Sequence, residues 1–225
     1  MSDKPRIALI HALRDSMVPI WGAFAADWPD AQTFNVLDDS LSADLAKEGR
    51  LTLPVVERFL TLGRYARQTG VGNEMTKAIL FTCSAFGPAI EAVKGDLDIP
   101  VLTPNEAAFD EALSIGNNVG LVVTFPPSES ALTVEFQLAA DAQGKVLNLT
   151  PVVADGALAA LQAGDGEAHD ALIAEAVVKM VDVDCIVLGQ FSMARAATKV
   201  SGQVDVPVIT TPTAAVARLR GLLGS

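Results

Sequence analysis

Residues 79–108 read ILFTCSAFGPAIEAVKGDLDIPVLTPNEAA, and residues 186–215 read IVLGQFSMARAATKVSGQVDVPVITTPTAA. The second stretch lies 107 residues after the first, and ten of the thirty aligned positions carry the same residue without a gap. Near its end each stretch has an Asp-[Ile/Val]-Pro-Val-[Leu/Ile]-Thr segment, and three residues later each stretch ends with two alanines. An ungapped internal repeat of this length indicates two copies of one supersecondary unit.

A weaker repeat precedes the first one. Residues 7–24 align with residues 119–136 at a shift of 112, which places Ser16 over Ser128. Together the two repeats predict two similar lobes. We expect the first lobe to span residues 1–115, with residues 212–225 packing back on it, and the second to span residues 116–211.

Short aliphatic runs alternate with longer amphipathic stretches along the chain, which is typical of parallel sheets flanked by helices. The strands are predicted at 7–10, 33–37, 78–81, 101–102, 119–123, 146–149, 185–188 and 208–209. Helices are predicted at 54–69, 88–93, 130–140 and 168–181. The expected fold is therefore α/β, with one parallel sheet in each lobe, pseudo-twofold symmetry and an active site in the cleft between the lobes. Ligands of such sheets bind beyond the carboxyl ends of the strands.

The composition excludes several classes of protein. Half of the residues are hydrophobic, so the chain can bury a core and is not disordered. The 27 acidic residues against 16 basic ones give a net charge of −11, which disfavours nucleic acid and anionic membranes as partners. Two cysteines and two histidines without metal-ligand spacing argue against a disulfide framework and a structural zinc site. With no targeting segment visible, we expect a cytoplasmic protein.

Cys83 is the first candidate for chemistry. It follows the predicted strand 78–81 and precedes Gly87 and Pro88, where a helix can begin. A thiol near a helix N-terminus is expected to have a lowered pKa, while the alternative is a buried structural cysteine. Thr82 and Ser84 flank it with hydroxyls that can bind a carboxylate or orient the thiolate. Cys185 begins a strand and is expected in the core.

Further candidates follow other strands of the first lobe. His11 ends the first strand and is a candidate general base, the alternative being a packed histidine. Asp38 and Asp39 follow the second strand. One carboxylate is expected to cap the next helix, and the other, for which we choose Asp39, to contact substrate, the alternative being that capping is the only role of the pair. His169 is expected to be solvated at a helix entry.

The second lobe offers mainly polar binding groups. Thr124 and Ser128 follow a strand at a helix entry, where amides and hydroxyls can bind an anion or simply cap the helix. Gln190, Phe191 and Ser192 follow the strand 185–188. The rings of Phe86 and Phe191 indicate that part of the ligand is apolar. No nucleotide-binding glycine motif is present, and we expect no cofactor.

Three of these segments resemble the aspartate/glutamate racemase superfamily: FTCS at 81–84, VLGQ at 187–190 and VVT at 122–124. That superfamily includes glutamate, aspartate and hydantoin racemases, maleate isomerase and arylmalonate decarboxylase, and the resemblance covers nearly the whole chain. It implies a two-lobe fold, a small organic acid as substrate and a homo-oligomer. In the racemases, chemistry without a cofactor uses two cysteines on opposite faces of the substrate.

The sequence departs from that pattern, because the repeat places Gln190 at the position equivalent to Cys83. A glutamine amide does not titrate, but it can donate hydrogen bonds, here to a developing enolate. Three alternatives are open: Cys83 is the only proton donor, a second base such as His11, Asp38 or Asp39 assists it, or Cys83 attacks an electrophilic carbon.

The predicted function is that of a cofactor-independent isomerase of the racemase type. It would transfer a proton next to a carboxylate or carbonyl, with Cys83 as acid and base. The alternatives are a one-cysteine decarboxylase of the same superfamily and a binding protein for small acids that has lost its turnover.

Overall fold

The computed structural model describes residues 4–72 and 74–224, which form two units. The first unit extends to Pro104 and includes the residues from Ala215 onwards, and the second comprises Asn105–Ala214. None of the helices in these described residues is long and apolar enough to span a membrane.

The first unit contains a four-stranded parallel sheet in the order β2-β1-β3-β4. Its strands are β1 (Arg6–His11), β2 (Gln32–Leu37), β3 (Ala78–Phe81) and β4 (Val101–Leu102), and its helices are α1 (Met17–Asp27), α2 (Ser40–Glu48), α3 (Leu53–Arg67) and α4 (Gly87–Asp96). Ala8 and Ile10 on one face of β1 pack with Phe59 of α3 and Ile90 of α4. Phe86 is fully buried in the same core, with its ring centroid 4.9 Å from that of Phe59. The expectation that Phe86 borders a ligand is therefore wrong.

The second unit repeats this design with the strand order β6-β5-β7-β8. Its strands are β5 (Asn118–Val123), β6 (Asn148–Val153), β7 (Cys185–Leu188) and β8 (Val208–Thr210), and its helices are α5 (Glu106–Ile115), α6 (Pro126–Ala142), α7 (Ala157–Gln162), α8 (Gly166–Val177), α9 (Ala197–Ser201) and α10 (Thr211–Leu223), the last of which continues into the first unit. Alternate residues of β5 enter two different cores, Leu121 on one face and Val122 on the other. Both faces of the sheet are thus covered, as its unbroken aliphatic strands predict.

The register of the strands confirms the repeat. Ile10 of β1 pairs with Phe81 of β3, and Val122 of β5 pairs with Leu188 of β7. These two pairs are related by the shifts of 112 and 107 seen in the sequence. The α/β fold with two parallel sheets is therefore confirmed.

Two predicted boundaries differ from the structure. Strand β6 was predicted at 146–149 but runs from Asn148 to Val153 and contains Pro151. A proline is tolerated there because β6 lies at the edge of its sheet. The division into units falls after Pro104, ahead of the predicted position near 115, because α5 packs on the second unit: Phe109 stacks on Phe136 with ring centroids 4.0 Å apart.

Candidate functional site

Cys83 lies two residues beyond β3, at the start of a 3-10 turn, Ser84–Phe86, that leads into α4. The residue is half-buried. The backbone N–H of Ala85 and the hydroxyl of Ser42 hydrogen-bond its thiol. Ser42 belongs to α2 and also donates to the carbonyl oxygen of Ala12 at 3.0 Å, which holds it between the ends of β1 and β3.

Burial raises the pKa of the Cys83 thiol above its ordinary value, and the hydrogen bonds from Ala85 and Ser42 oppose this rise only in part. The expectation of a lowered pKa is therefore wrong. The turn Ser84–Phe86 separates the sulfur from the first turn of α4, where a helix dipole acts most strongly. At neutral pH Cys83 is a protonated thiol, which is equipped to donate a proton.

Alkylation by iodoacetamide tests this protonation state. Because only the thiolate reacts, we expect the rate at Cys83 to be low at pH 7 and to rise about tenfold per pH unit, without a plateau below the ordinary thiol pKa of about 8.5. Mass spectrometry of the Cys83 peptide measures the rate, and Cys83→Ala supplies the blank. A rate that is already maximal at pH 7 would show a thiolate and contradict the assignment.

His11 ends β1 and is completely buried. Its Nε2 lies 3.0 Å from Oδ1 of Asn35, and its Nδ1 lies 2.8 Å from the hydroxyl of Thr82 and 3.2 Å from that of Ser16. Burial lowers the pKa of His11, although the bond to Asn35 acts in the opposite direction. Its two ring nitrogens already have partners inside the protein, which favours a positioning role over that of a second base.

Thr82 is also buried, and its hydroxyl contacts His11 and, at 2.8 Å, Ser16. This hydroxyl was predicted to bind substrate, and the structure directs it into the network around His11. Ser84, on the other side of Cys83, is half-buried and begins the 3-10 turn.

Asp39 is exposed and forms an ion pair with Arg14 at 3.1 Å. It occupies the N-cap position of α2, but its side chain makes no capping hydrogen bond. Asp38 pairs with Arg58 at 2.6 Å and accepts a hydrogen bond from Ser40, and its pKa is lowered although burial acts against this. Both carboxylates thus have an arginine partner.

In the second unit, Gln190 follows Gly189 at the end of β7. Its Oε1 accepts hydrogen bonds from the backbone N–H of Thr124 at 2.7 Å and from the Thr124 hydroxyl at 2.8 Å. A backbone N–H can only donate, so the oxygen of the amide must face Thr124. The NH₂ group of half-buried Gln190 therefore points away from Thr124, with two donors to offer.

Gly189 makes this contact possible. A Cβ atom at this position would lie 3.0 Å from Leu121 and 3.2 Å from the carbonyl oxygen of Val122, closer than most side chains allow. The glycine lets β7 run tightly beside β5, where its N–H donates to Val122 at 2.8 Å. The next residue, Gln190, is thereby brought within reach of Thr124.

The other predicted residues of the second unit lie around Gln190 and α6. Phe191 is buried with 4 % of its surface exposed, and Ser192 is half-buried in the same 3-10 turn, Phe191–Ala196. Ser128 is half-buried in the first turn of α6, and its N–H donates to Phe125.

His169 is completely buried, so the expectation that it is solvated is wrong. It lies on the face of α8 that also carries Ile173 and Val177, because residues four apart share one side of a helix. Its Nδ1 lies 2.8 Å from the carboxylate of Asp170, which also pairs with Arg195. Arg195 belongs to the 3-10 turn after Gln190, so this ion pair fixes that turn to α8.

Sequence reasoning missed three residues of the first unit: Trp21, Asn35 and Ser42. Trp21 and Asn35 hydrogen-bond each other at 2.9 Å, and Asn35 contacts His11. Asn35 lies within β2 and Ser42 within α2, and nothing in either local pattern marks them.

The model of the Asp/Glu/hydantoin racemase family matches residues 31–219. The chain belongs to this family. The family resemblance inferred from the sequence is thereby confirmed. The matched region of this racemase-family protein includes Cys83 and Gln190, whereas His11 lies ahead of it.

Solved structures show the same fold. An allantoin racemase from Klebsiella pneumoniae has a TM-score of 0.75 at 21% identity, over 98% of this chain and 88% of its own. A glutamate racemase from Bacillus anthracis has a TM-score of 0.73 at 14% identity, over 98% of this chain and 82% of its own. A glycine-to-cysteine variant of arylmalonate decarboxylase has a TM-score of 0.68 at 17% identity, over 98% of this chain and 94% of its own. No curated protein matches the chain in sequence.

Proposed function

We propose that this protein transfers a proton at the carbon next to a carboxylate or carbonyl group of a small organic acid, with the minor thiolate form of Cys83 removing the proton and the resulting thiol returning it. The observation that carries the proposal is the setting of Cys83, a half-buried thiol beyond β3 that is bonded by the N–H of Ala85 and the hydroxyl of Ser42. The backbone N–H of Ala85 can stabilise the thiolate that remains once the proton has left, and the Ser42 hydroxyl can do so by turning its single proton from the Ala12 carbonyl oxygen to the sulfur.

The substrate class follows from the family and from the donors present. The structural relatives are racemases of glutamate, allantoin and aspartate and a decarboxylase of arylmalonates. Removing a proton next to a carbonyl group places negative charge on its oxygen, and hydrogen-bond donors stabilise that charge. The NH₂ group of Gln190 supplies two such donors, and the reaction so described needs no cofactor.

A second candidate is decarboxylation of a substituted malonate. Two observations favour it: the thiol of Cys83 is protonated, and Gln190, which cannot exchange a proton, occupies the equivalent position in the repeat. In this reaction the bond to one carboxylate breaks and carbon dioxide leaves with the electron pair kept on the substrate. The Cys83 proton then adds to that carbon, and water restores the thiol.

Proton exchange in deuterium oxide tests the proposal. The protein is incubated with amino acids, hydantoins, 2-hydroxy acids and substituted malonates, and the α-carbon is followed by NMR. We expect deuterium at the α-carbon of at least one compound. Exchange with inversion supports a racemase, whereas exchange with retention or release of carbon dioxide supports one-sided protonation. A protein that is thermally stabilised by these acids but neither exchanges nor decarboxylates any of them would be a binding protein, and the proposal would fail.

A further inference from the structure

The indole of Trp21 fixes the orientation of the Asn35 amide. Trp21 Nε1 lies 2.9 Å from Oδ1 of Asn35, and an indole nitrogen can only donate a hydrogen bond. The atom facing Trp21 must therefore be the amide oxygen. The same oxygen lies 3.0 Å from Nε2 of His11. An oxygen without a proton requires a donor on the other side, so Nε2 of His11 carries the ring proton.

This tautomer sets the direction of the hydroxyls behind His11. With the proton on Nε2, Nδ1 of the neutral ring is an acceptor, and the Thr82 hydroxyl at 2.8 Å must donate to it. The Thr82 oxygen, 2.8 Å from Ser16, can then accept the proton of Ser16, for which the carbonyl oxygen of Leu13 competes at the same distance. The donation that the tautomer fixes is therefore the one from Thr82 to His11.

The same contacts also permit hydrogen-bond donation in the opposite direction, away from His11. Ser16 lies 2.8 Å from the carbonyl oxygen of Leu13, which can only accept. If Nδ1 of His11 carried a proton, it would donate to Thr82, Thr82 would donate to Ser16, and Ser16 would donate to Leu13. Each of these contacts is 2.8 Å long. In a neutral ring this arrangement leaves Nε2 without a proton. Its lone pair would then face the oxygen of Asn35, which is also an acceptor, and this contact would be unfavourable.

We propose that Asn35, oriented by Trp21, is a positioning residue that selects the Nε2–H tautomer of His11 and thereby makes Thr82 a donor to the ring. Thr82 immediately precedes Cys83, and its N–H also donates to Ile10 at 3.0 Å. Hydrogen bonds from both the backbone and the side chain therefore hold Thr82, the residue that precedes Cys83, in place. The role of this link in turnover rests on the proposed function, whereas the assignment of the His11 tautomer is independent of it.

Nitrogen-15 NMR of the histidine ring tests the assignment without substrate. The chain has only two histidines, so His169→Gln identifies the signals of His11. In the wild type at neutral pH we expect a protonated Nε2 and an unprotonated Nδ1. Asn35→Leu removes the acceptor, and the proton should move to Nδ1, where the chain to Leu13 receives it. Asn35→Asp retains an acceptor for Trp21 and His11 and adds a negative charge, so both ring nitrogens should be protonated at a higher pH than in the wild type.

Turnover supplies the second measurement. In the exchange assay Asn35→Leu should lower kcat roughly tenfold or more and leave KM nearly unchanged, because the presentation of Cys83 is altered and not the contacts to substrate. Asn148→Leu is the matched control, since Asn148 is an exposed residue on the edge strand of the second unit, where its side-chain amide donates to Asn118 at 3.0 Å. A wild-type ring protonated on Nδ1, or an Nε2–H tautomer that survives in Asn35→Leu, would overturn the proposal even if exchange by the wild type is observed. A tautomer that behaves as expected in a protein without exchange would instead contradict only the proposed function.

Discussion

Replacement of Cys83 by alanine is expected to lower α-proton exchange or decarboxylation by roughly a hundred- to ten-thousandfold, the usual contribution of a positioned acid or base. The sulfur is the reacting atom in the proposal, and no neighbouring group can substitute for it. Ser42 holds a hydroxyl that is far less acidic than a thiol, and His11 is enclosed with both nitrogens bonded. Exchange rates of the wild type and the variant, measured by NMR under the same conditions, give the ratio.

Cys185→Ala is the matched control for this experiment. Cys185 is completely buried at the start of β7, and burial raises its pKa to about 11. Its removal should leave the exchange rate within about twofold, since it lies in the core and not beyond a strand end. Cys83→Ser tests the acidity of the group, and we expect it to resemble Cys83→Ala because a serine hydroxyl titrates far above neutral pH. Exchange that persists in Cys83→Ala at near the wild-type rate would eliminate the thiol as the acid and base.

Most of the fold could be predicted because it depends on patterns that persist along the chain. Seven of the eight strands lie within one residue of their predicted ends, since a strand buried on both faces is an aliphatic run that ends where polar residues begin. The prediction failed at β6, where Pro151 resembles the end of a strand. Its missing N–H is harmless only because β6 is an edge strand, and that position in the sheet is a property of the whole unit.

The places of the candidate residues in the fold could be predicted, but the protonation of Cys83 could not. His11 and Cys83 lie at the ends of β1 and β3 in the first sheet and Gln190 lies at the end of β7 in the second, because parallel strands present their carboxyl ends at one edge of each sheet. The pKa of Cys83 depends on how deeply its sulfur is buried, and the helix-entry pattern at Gly87 gave no measure of that depth. The pattern predicted that the helix dipole lowers the pKa of Cys83, but burial has the larger effect and raises it.

The hydrogen-bond partners could not be predicted for a different reason. Asn35 and His11 are 24 residues apart, and only the pairing of β1 with β2 brings them together. Nothing in a sequence states which atom of an amide faces a ring nitrogen. That information comes from a third group, here the indole of Trp21, which can only donate.

The second large effect is a decrease in kcat, which we expect when the amide of Gln190 is replaced in Gln190→Glu. A glutamate can retain an oxygen as acceptor for the N–H and hydroxyl of Thr124, so the local structure should persist. The NH₂ group, however, is replaced by a second carboxylate oxygen. In the proposed reaction, the variant therefore lacks two donors to the enolate and carries an added negative charge. Since the loss of one donor to a developing oxyanion costs about a hundred- to a thousandfold in kcat, we expect at least that decrease.

Two further variants separate the donors of Gln190 from its structural role. Gln190→Leu removes the donors and the contact with Thr124 together, so a melting temperature that falls only in this variant would measure the contribution of that contact. Thr124→Val removes one of the two bonds to Oε1 but leaves the backbone N–H and the NH₂ group in place, and it should change kcat by less than about tenfold. If Gln190→Glu turned over at the rate of the wild type, the amide would play no part in stabilising the enolate. The glutamine would then only fasten β7 to Thr124, and the charge would have to be stabilised by other donors of this racemase-family protein.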